Sequence, residues 1–221
     1  FSKELLYVSK ESEENMIEAL VYSLLEIPEV KKISIMVEGE KLKNLPNSKK
    51  KLPEFLDKSF GVNKIYNLDS IKDTSKTTIY YLSKYNEYYY YVPVTSISNE
   101  GMEKAEIIIK ELKSTPIYHT NLISYLAAST NLTNYEILEN SINLSFDNHL
   151  LANLNDEDML EEVKYSIALS MRDSYGIEEI VFNFPDDKQE VMVFDELGLA
   201  NKWNLYYNLL DVLVAQLDRA Y

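Results

Sequence analysis

The stretch ENMIEALVYSL, residues 14–24, returns as EDMLEEVKYSI, residues 157–167, at a constant offset of 143 positions. Five of the eleven aligned positions are identical, and most of the others exchange similar side chains. Past a gap of four residues, the apolar pattern of residues 30–37 aligns with that of residues 177–184. The repeat predicts two copies of one structural unit, each a helix followed by a strand.

Both copies carry signals for the ends of the predicted helix. Ser12 is a predicted N-cap of the first helix, and Asn155 takes this position in the second. Pro28 ends the first helix, whereas the second continues to Gly176. The four-residue gap is close to one helical turn, so the longer helix keeps its buried face in register.

The first predicted helix has far less sequence before it than the second has, which indicates that the first copy is incomplete. We therefore predict the back half of a module at residues 1–45 and a linker or extension at 46–76. A complete module is expected at 77–187, followed by an extension with a terminal helix at 188–221.

The second module is predicted to alternate strands and helices. Strands are expected at residues 77–83, 87–94, 135–138, 142–146 and 180–184, helices at 99–113 and from 155, and a short helix at 121–128. This order predicts an α+β fold, in which each module has a small mixed sheet with two helices packed on one face, in tandem.

The composition argues against several classes of function. The net charge of −14 disfavours binding to nucleic acid, and the absence of cysteine excludes disulfides and thiolate chemistry. The predicted linker is locally basic, which fits a solvated segment or a contact with anionic lipid or wall polymer. Its lysines are Lys41, Lys43, Lys49, Lys50, Lys51, Lys58 and Lys64.

The stretch ALVYSLLEIPEVKKISIMVEGE, residues 19–40, resembles the back half of the GerM domain, a bacterial module of sporulation and spore-germination lipoproteins. The second copy departs from the family pattern, because Phe184 begins a Phe-Pro-Asp-Asp sequence where the first copy has Val-Glu-Gly-Glu. The resemblance implies an extracytoplasmic protein with a lipidated N-terminus that this chain lacks. It also implies a ring-building type of module that works by association, without catalysis.

No constellation of catalytic, cofactor-binding or metal-binding residues is expected. His119 and His149 are isolated among polar residues, although a degenerate hydrolase could use one of them as a base. The acidic residues at 155–158 fit helix capping. The pairs at 186–187 and 195–196 lack the regular spacing of a calcium loop, so we assign no metal there.

Tyrosine is the most unusual component, with 18 residues in all and four in a row at Tyr88, Tyr89, Tyr90 and Tyr91. On a strand, alternate side chains point to opposite faces. We expect one pair to pack under the helices and the other to face outward as an interaction surface. Simple packing across the strands is the alternative.

Together these features predict a non-enzymatic, extracytoplasmic protein–protein assembly module of the bacterial envelope, related to sporulation or germination. Its expected partners are other envelope or sporulation proteins, with self-association included, and no nucleic acid. We expect membrane attachment only through a lipid anchor. The alternative is an accessory module that binds peptidoglycan or another carbohydrate through the tyrosines and the basic linker.

Overall fold

The computed structural model describes residues 1–27, 29–68, 73–86, 88–99, 101–114, 121–150, 159–185 and 188–194. Two units divide the chain, Phe1–Ile65 and Tyr66–Tyr221. The described helices are α1 Glu13–Leu24, α2 Lys104–Leu112 and α3 Glu161–Tyr175. The described strands are β1 Met36–Val37, β2 Glu40–Lys41, β3 Ile65–Asn67, β4 Ser75–Tyr85, β5 Tyr88–Ser98, β6 Leu132–Ile137, β7 Ser141–Phe146, β8 Glu179–Asn183 and β9 Gln189–Val193.

The core of the first unit forms between α1 and the segment that follows it. Helix α1 contributes its buried apolar face, and residues 46–65, predicted as part of a linker, contribute further apolar side chains. The cluster consists of Ile17, Val21, Leu25, Ile35, Leu45, Leu52 and Leu56. Residues 46–65 therefore lie within the first unit, because Leu52 and Leu56 complete the core that α1 forms with Ile35 and Leu45.

The strand predicted over residues 30–37 is mostly absent, and this part of the prediction is wrong. Only Met36–Val37 is a strand, while Ile33 forms an isolated bridge with Leu56. The backbone of Ile33 exchanges two hydrogen bonds with Leu56, of 2.9 and 2.8 Å. The apolar alternation of this segment thus reflects contact with residues 46–65 and not membership of a sheet.

The Val-Glu-Gly-Glu sequence of the first copy forms the turn between β1 and β2. Val37 pairs with Glu40, and the two central residues have positive φ, 51° at Glu38 and 83° at Gly39. Two positive φ values in a two-residue loop are the geometry of a type I′ turn, which favours glycine at the second position. The family-like sequence is therefore explained by hairpin geometry.

The second unit contains two sheets and two helices. One sheet has the order β3-β5-β4, and the other has the order β6-β7-β8-β9 with β7 parallel to β8. Helices α2 and α3 contact each other, and they contact β6 and β8 of this mixed sheet. The α+β class with a small mixed sheet and two helices is confirmed. Strand β9 lies in the predicted C-terminal extension and adds a fourth strand.

Helix α3 begins at a different signal from the expected one but ends at the predicted residue. It begins at Glu161 with Leu160 as N-cap, while Asn155 lies outside the described residues. At the other end Gly176 follows the helix in the left-handed conformation, with φ of 70°, as its sequence position predicts. The terminal helix predicted near residues 207–221 also lies outside the described part.

The short helix predicted at residues 121–128 is wrong. Its Ile123 pairs with Leu82 of β4 through two backbone hydrogen bonds, of 2.9 and 2.7 Å. The segment is extended here because the outer edge of β4 offers backbone donors and acceptors that outweigh local helix propensity. The helix predicted at 99–113 is shorter, as α2 begins at Lys104.

Two serines of α3 form hydrogen bonds with the backbone of β4 at the same outer edge. The Tyr80 N–H donates to Ser170 Oγ at 2.8 Å, and the Thr78 N–H donates to Ser174 Oγ at 3.3 Å. The Ser174 hydroxyl lies at the same distance from the Thr78 carbonyl oxygen, to which it donates. Residues four apart lie on one side of a helix, so α3 covers the exposed edge of β4 with matched polar groups.

Candidate interaction surface

The four consecutive tyrosines lie at the start of β5, next to the turn of the β4–β5 hairpin. Tyr88 pairs with Tyr85 across the hairpin, and Tyr91 pairs with Leu82. Exposure falls along β5 from its exposed first residues to its buried last ones. The expected division of the tyrosines into one buried and one outward pair is therefore wrong. Side-chain exposure instead decreases from Tyr88, at the hairpin tip, to Tyr91, at the base of the run.

Three exposed aromatic residues lie at the tip or beside it, and we call Tyr88, Tyr89 and Tyr125 the aromatic tip. Their exposed fractions are 61%, 39% and 44%. Tyr89 and Tyr125 share a hydrogen bond, whereas Tyr88 points to the other face of β5. The Lys84 ammonium lies 5.2 Å from the centre of the Tyr89 ring, a cation–π contact across the hairpin. A hydrogen bond with Tyr89 raises the pKa of Tyr125, aided by partial burial and by the charge of Glu162.

The base of the tyrosine run is held by α3. The rings of Tyr91 and Tyr165 lie 6.0 Å apart and are tilted by 37°. Burial raises the pKa of Tyr91, and the nearby carboxylates of Glu162 and Glu161 add to this effect. The Tyr91 hydroxyl therefore stays neutral, and its ring anchors the hairpin so that Tyr88 and Tyr89 are presented from a supported strand.

Sequence reasoning found Tyr88 and Tyr89 but missed Tyr125 and Lys84. Tyr125 was assigned to the short helix, and only the pairing of Ile123 with Leu82 brings it to the hairpin. Lys84 is opposite Tyr89 in the strand register. That pair could have been found from the hairpin turn alone, whereas the position of Tyr125 depends on a tertiary contact.

Comparison with known proteins identifies the fold to which this surface belongs. The family described as "Germane: Sporulation and spore germination" matches residues 1–43. The chain also resembles the solved tandem GerMN domains of the sporulation protein GerM from Bacillus subtilis, with a TM-score of 0.80 and 20% identity. The match covers 89% of this chain and 72% of the other. The predicted GerM resemblance is confirmed.

A curated relative extends the GerM similarity across most of the chain. The spore germination protein GerM of Bacillus subtilis (strain 168) is 23% identical over 185 residues. The alignment covers 81% of this chain and 50% of that relative, so the chain spans about half the length of the curated protein. The tandem arrangement read from the internal repeat is thus the arrangement of a solved GerM structure.

Within the described part of this GerM-type chain, no group of three or more His, Asp or Glu side chains could hold a metal ion. His149 lies 3.1 Å from Asp147 through Nδ1 and Oδ2. The same carboxylate also accepts the backbone N–H of His149, which closes a local turn. This pair is accounted for by turn formation, while His119 and the acidic residues at 155–158, 186–187 and 195–196 lie outside the described residues.

The basic segment of the first GerM-type unit is largely neutralised by its own carboxylates. Lys41, Lys50, Lys58 and Lys64 form ion pairs with Glu54, Glu14, Glu26 and again Glu14, respectively. Lys64 also lies 2.9 Å from Glu18, and both side chains are buried. These pairs weaken the case for a contact of this segment with anionic lipid or wall polymer.

The described residues contain no helix that could cross a membrane. None of their helices combines the length and the apolar character that crossing a bilayer requires.

Proposed function

We propose that this protein is a non-enzymatic assembly module of the bacterial envelope that acts in sporulation or spore germination. The GerM fold and the family match at residues 1–43 support the process. The aromatic tip supports the mode of action, because it presents exposed rings from a supported strand. We further propose an extracytoplasmic location with attachment through a lipid anchor, as the resemblance to germination lipoproteins implies.

The aromatic tip carries the proposal of a protein interface. Tyr88 and Tyr89 are rigid, amphipathic side chains with few rotatable bonds, so their immobilisation in a complex costs little entropy. Tyrosine is also enriched among residues that dominate binding energy at protein interfaces. The contact of Lys84 with Tyr89 and the hydrogen bond between Tyr89 and Tyr125 hold the rings in place before binding.

A peptidoglycan-binding accessory module is the second candidate, and the same rings favour it. Exposed tyrosine rings can stack on the faces of sugar rings, and Tyr88 is 61% exposed. The two functions predict different partners for one surface, so a single pair of variants can test both.

The test uses a double variant in which serine replaces both Tyr88 and Tyr89. Crosslinked partner proteins are identified in sporulating cells. A photo-crosslinking residue at position 125 should capture envelope proteins in the parent chain, and the double replacement should abolish this capture. The matched control is Tyr7→Ser, which removes an exposed tyrosine from the first unit. That control should leave crosslinking unchanged.

Purified cell wall provides the second arm of the same test. Under the assembly proposal the parent protein stays in solution when peptidoglycan is sedimented. Sedimentation that depends on Tyr88 and Tyr89 would instead support the carbohydrate function. Recovery of only cytoplasmic proteins, or crosslinking that survives the double replacement, would overturn the assembly proposal.

A further inference from the structure

Strand β9 is an edge of the mixed sheet in the second unit. It pairs with β8 over all 5 of its residues without a register shift, and no described strand lies on its other side. The Phe184 N–H donates to the Lys188 carbonyl oxygen at one end of this pairing, and the Phe194 N–H donates to the Glu178 carbonyl oxygen at the other. These two bonds fix which residues of β9 bond to β8.

Every second residue of β9 directs its backbone groups away from the sheet. Hydrogen-bonded and non-bonded pairs alternate along an antiparallel ladder, so Glu190 and Met192 bond to β8. The N–H and C=O groups of Gln189, Val191 and Val193 therefore point outward. Among the described residues, no backbone group bonds to them there.

The side chains at these three positions are apolar or neutral. Glu190 faces α3, where it forms an ion pair with Lys164 at 2.5 Å. Alternate residues of a strand point to opposite faces, so Gln189, Val191 and Val193 share the other face. Val191 is 51% exposed and Val193 is 64% exposed. This face of β9 thus carries no charged side chain, in a chain with a net charge of −14.

The other described strand edges are protected against pairing. The outer edge of β4 is covered by Ile123 and by the serines of α3. The outer edge of β6 has a bulge between Leu132 and Asn134 and an exposed charge at Glu136. Strands β1 and β2 have 2 residues each, and β3 has 3. Short edges, bulges, charges and covering elements are the means by which proteins prevent edge-to-edge pairing, and the outward side of β9 has none of them within its described residues.

We propose that β9 pairs with β9 of a second copy of this chain, antiparallel and about a two-fold axis at Val191. In this register Val191 lies opposite its own copy, and Gln189 lies opposite Val193 of the second copy. All three positions direct their backbone groups outward, so each pair exchanges two main-chain hydrogen bonds and the two mixed sheets become continuous. The β-branched side chains of Val191 and Val193 gain cross-strand contacts.

A second copy fits this edge because the paired faces are identical and neutral. The net charge of −14 makes two copies repel each other in general, so contact is favoured where no carboxylate faces another. A pairing limited to one short strand buries little surface, so the association is weak and depends on protein concentration. The edge is separate from the aromatic tip. The pairing therefore goes beyond the proposed function, and it can fail while the tip still captures partners.

Charge exchange at Val191 tests the two-fold register. Sedimentation equilibrium of the parent chain should show a monomer–dimer equilibrium at protein concentrations up to about 1 mM. Val191→Lys and Val191→Glu should each abolish the dimer, because like charges then face each other across the axis. An equimolar mixture of the two variants should restore the dimer, because lysine then faces glutamate. Misfolding of either variant could not produce this recovery.

Tyr7 provides the matched control, since it is an exposed side chain of the first unit. Tyr7→Lys and Tyr7→Glu should leave the dimer unchanged. The backbone contribution is tested with Val191→Pro, which removes an outward N–H and should abolish the dimer. Val191→Thr keeps this N–H and should dimerise nearly as the parent does. Circular dichroism of each variant checks that the fold is retained.

Four results would overturn the proposal. The parent could stay monomeric up to about 1 mM, whether or not its Val191 amide is protected from hydrogen exchange. The mixture of the two charged variants could stay monomeric. The dimer could survive Val191→Lys, which would place the interface elsewhere. Association could also continue beyond the dimer, which would mean a head-to-tail contact in place of the two-fold pairing.

Discussion

Helices α1 and α3 descend from one sequence pattern but hold different parts of the protein. In α1 the buried carboxylate of Glu13 accepts the backbone N–H groups of Asn47 and Ser48, at 2.7 and 2.8 Å. In α3 the contacts come from hydroxyl groups, with Ser170 and Ser174 bonded to the backbone of β4. Helix α1 holds a loop-rich segment through a carboxylate, whereas α3 covers the edge of β4 mainly through hydroxyl groups.

The difference lies mostly in the extra turn of the second copy. Ser170, Asp173, Ser174 and Tyr175 follow the aligned stretch, and each contacts β4 or α2. Asp173 accepts the Tyr80 hydroxyl, and the Tyr175 hydroxyl accepts the Ala105 N–H at 2.8 Å. The extra turn thus adds a new set of polar contacts, and the expected match of the two buried faces is wrong, because aligned positions of α1 and α3 differ in burial.

The largest expected effect is a difference in stability loss between substitutions at two aligned apolar residues. Ile17 is 0% exposed in α1, while its repeat counterpart Leu160 is 42% exposed. Ile17→Ala should destabilise the first unit by about 2–5 kcal/mol, and Leu160→Ala should cost roughly 1 kcal/mol or less. Peptide-resolved hydrogen exchange in urea reports each unit separately. Equal costs at the two positions would show that the repeat conserves packing more closely than the structure indicates.

A smaller effect is expected at the aligned carboxylates. Glu18 is buried, bonds to Lys64 at 2.9 Å and accepts the Asn63 N–H at 2.8 Å, whereas its counterpart Glu161 is exposed. Glu18→Gln should destabilise residues 1–65 by about 1–3 kcal/mol, because the Lys64 charge then loses one of its buried partners.

Glu161→Gln is the matched control, with an expected change of about 0.5 kcal/mol or less. Thermal unfolding and hydrogen exchange of residues 46–65 measure the loss. Unchanged exchange there in Glu18→Gln would mean that the ion pair does not hold this segment.

The serines of α3 should give a still smaller effect. Ser170→Ala removes the bond from the Tyr80 N–H and the bond that the Ser170 hydroxyl donates to the Ser166 carbonyl, and it should cost about 1 kcal/mol because both are neutral. The Tyr80 amide should exchange faster in this variant. Ser23→Ala, at an exposed serine of α1, is the control and should leave stability within about 0.5 kcal/mol. A protected Tyr80 amide in Ser170→Ala would argue against a role for the serine in covering the edge.

The pH dependence of stability should differ between the segment that α1 holds through Glu13 and the strand edge that α3 covers through Ser170 and Ser174. Burial tends to raise the pKa of Glu13, but hydrogen bonds from Ser48 and Asn47 outweigh it and lower the pKa below its ordinary value of 4.5. A group with a lowered pKa stabilises the fold above its ordinary pKa, and this stabilisation is lost as the pH falls toward the folded value. The first unit should therefore loosen in acid, and Glu13→Gln should flatten this dependence in pH-resolved hydrogen exchange.

Much of the fold could be predicted because it depends on local patterns. The repeat located α1 and most of α3, and the alternating apolar residues located β7 and β8. The segment at residues 121–128 could not be predicted, because Ile123 pairs with an edge of β4 that is distant in sequence. Residues 46–65 were assigned to a linker because they are rich in lysine and proline. Their Leu52 and Leu56 enter the core only through contacts with residues distant in sequence.

The candidate surface was predictable only in part. Four tyrosines in a row identified a strand with aromatic side chains on both faces, and the hairpin turn fixed its register. The exposure gradient from Tyr88 to Tyr91 depends on where α3 begins, because Tyr165, near its start, packs against Tyr91 alone in the run. Tyr125 joins the tip through the bridge at Ile123, which no local pattern signals.

The sequence by itself determined that this protein is a duplicated α+β chain, since the apolar periodicity of a helix or strand is set by neighbouring residues. Tertiary structure alone decided which surfaces of the described residues are exposed. Exposure of a strand edge or an aromatic ring depends on what packs beside it, as the covered edge of β4 and the graded exposure of β5 show. The same helix pattern can therefore hold a charged loop in one copy and cover a strand in the other.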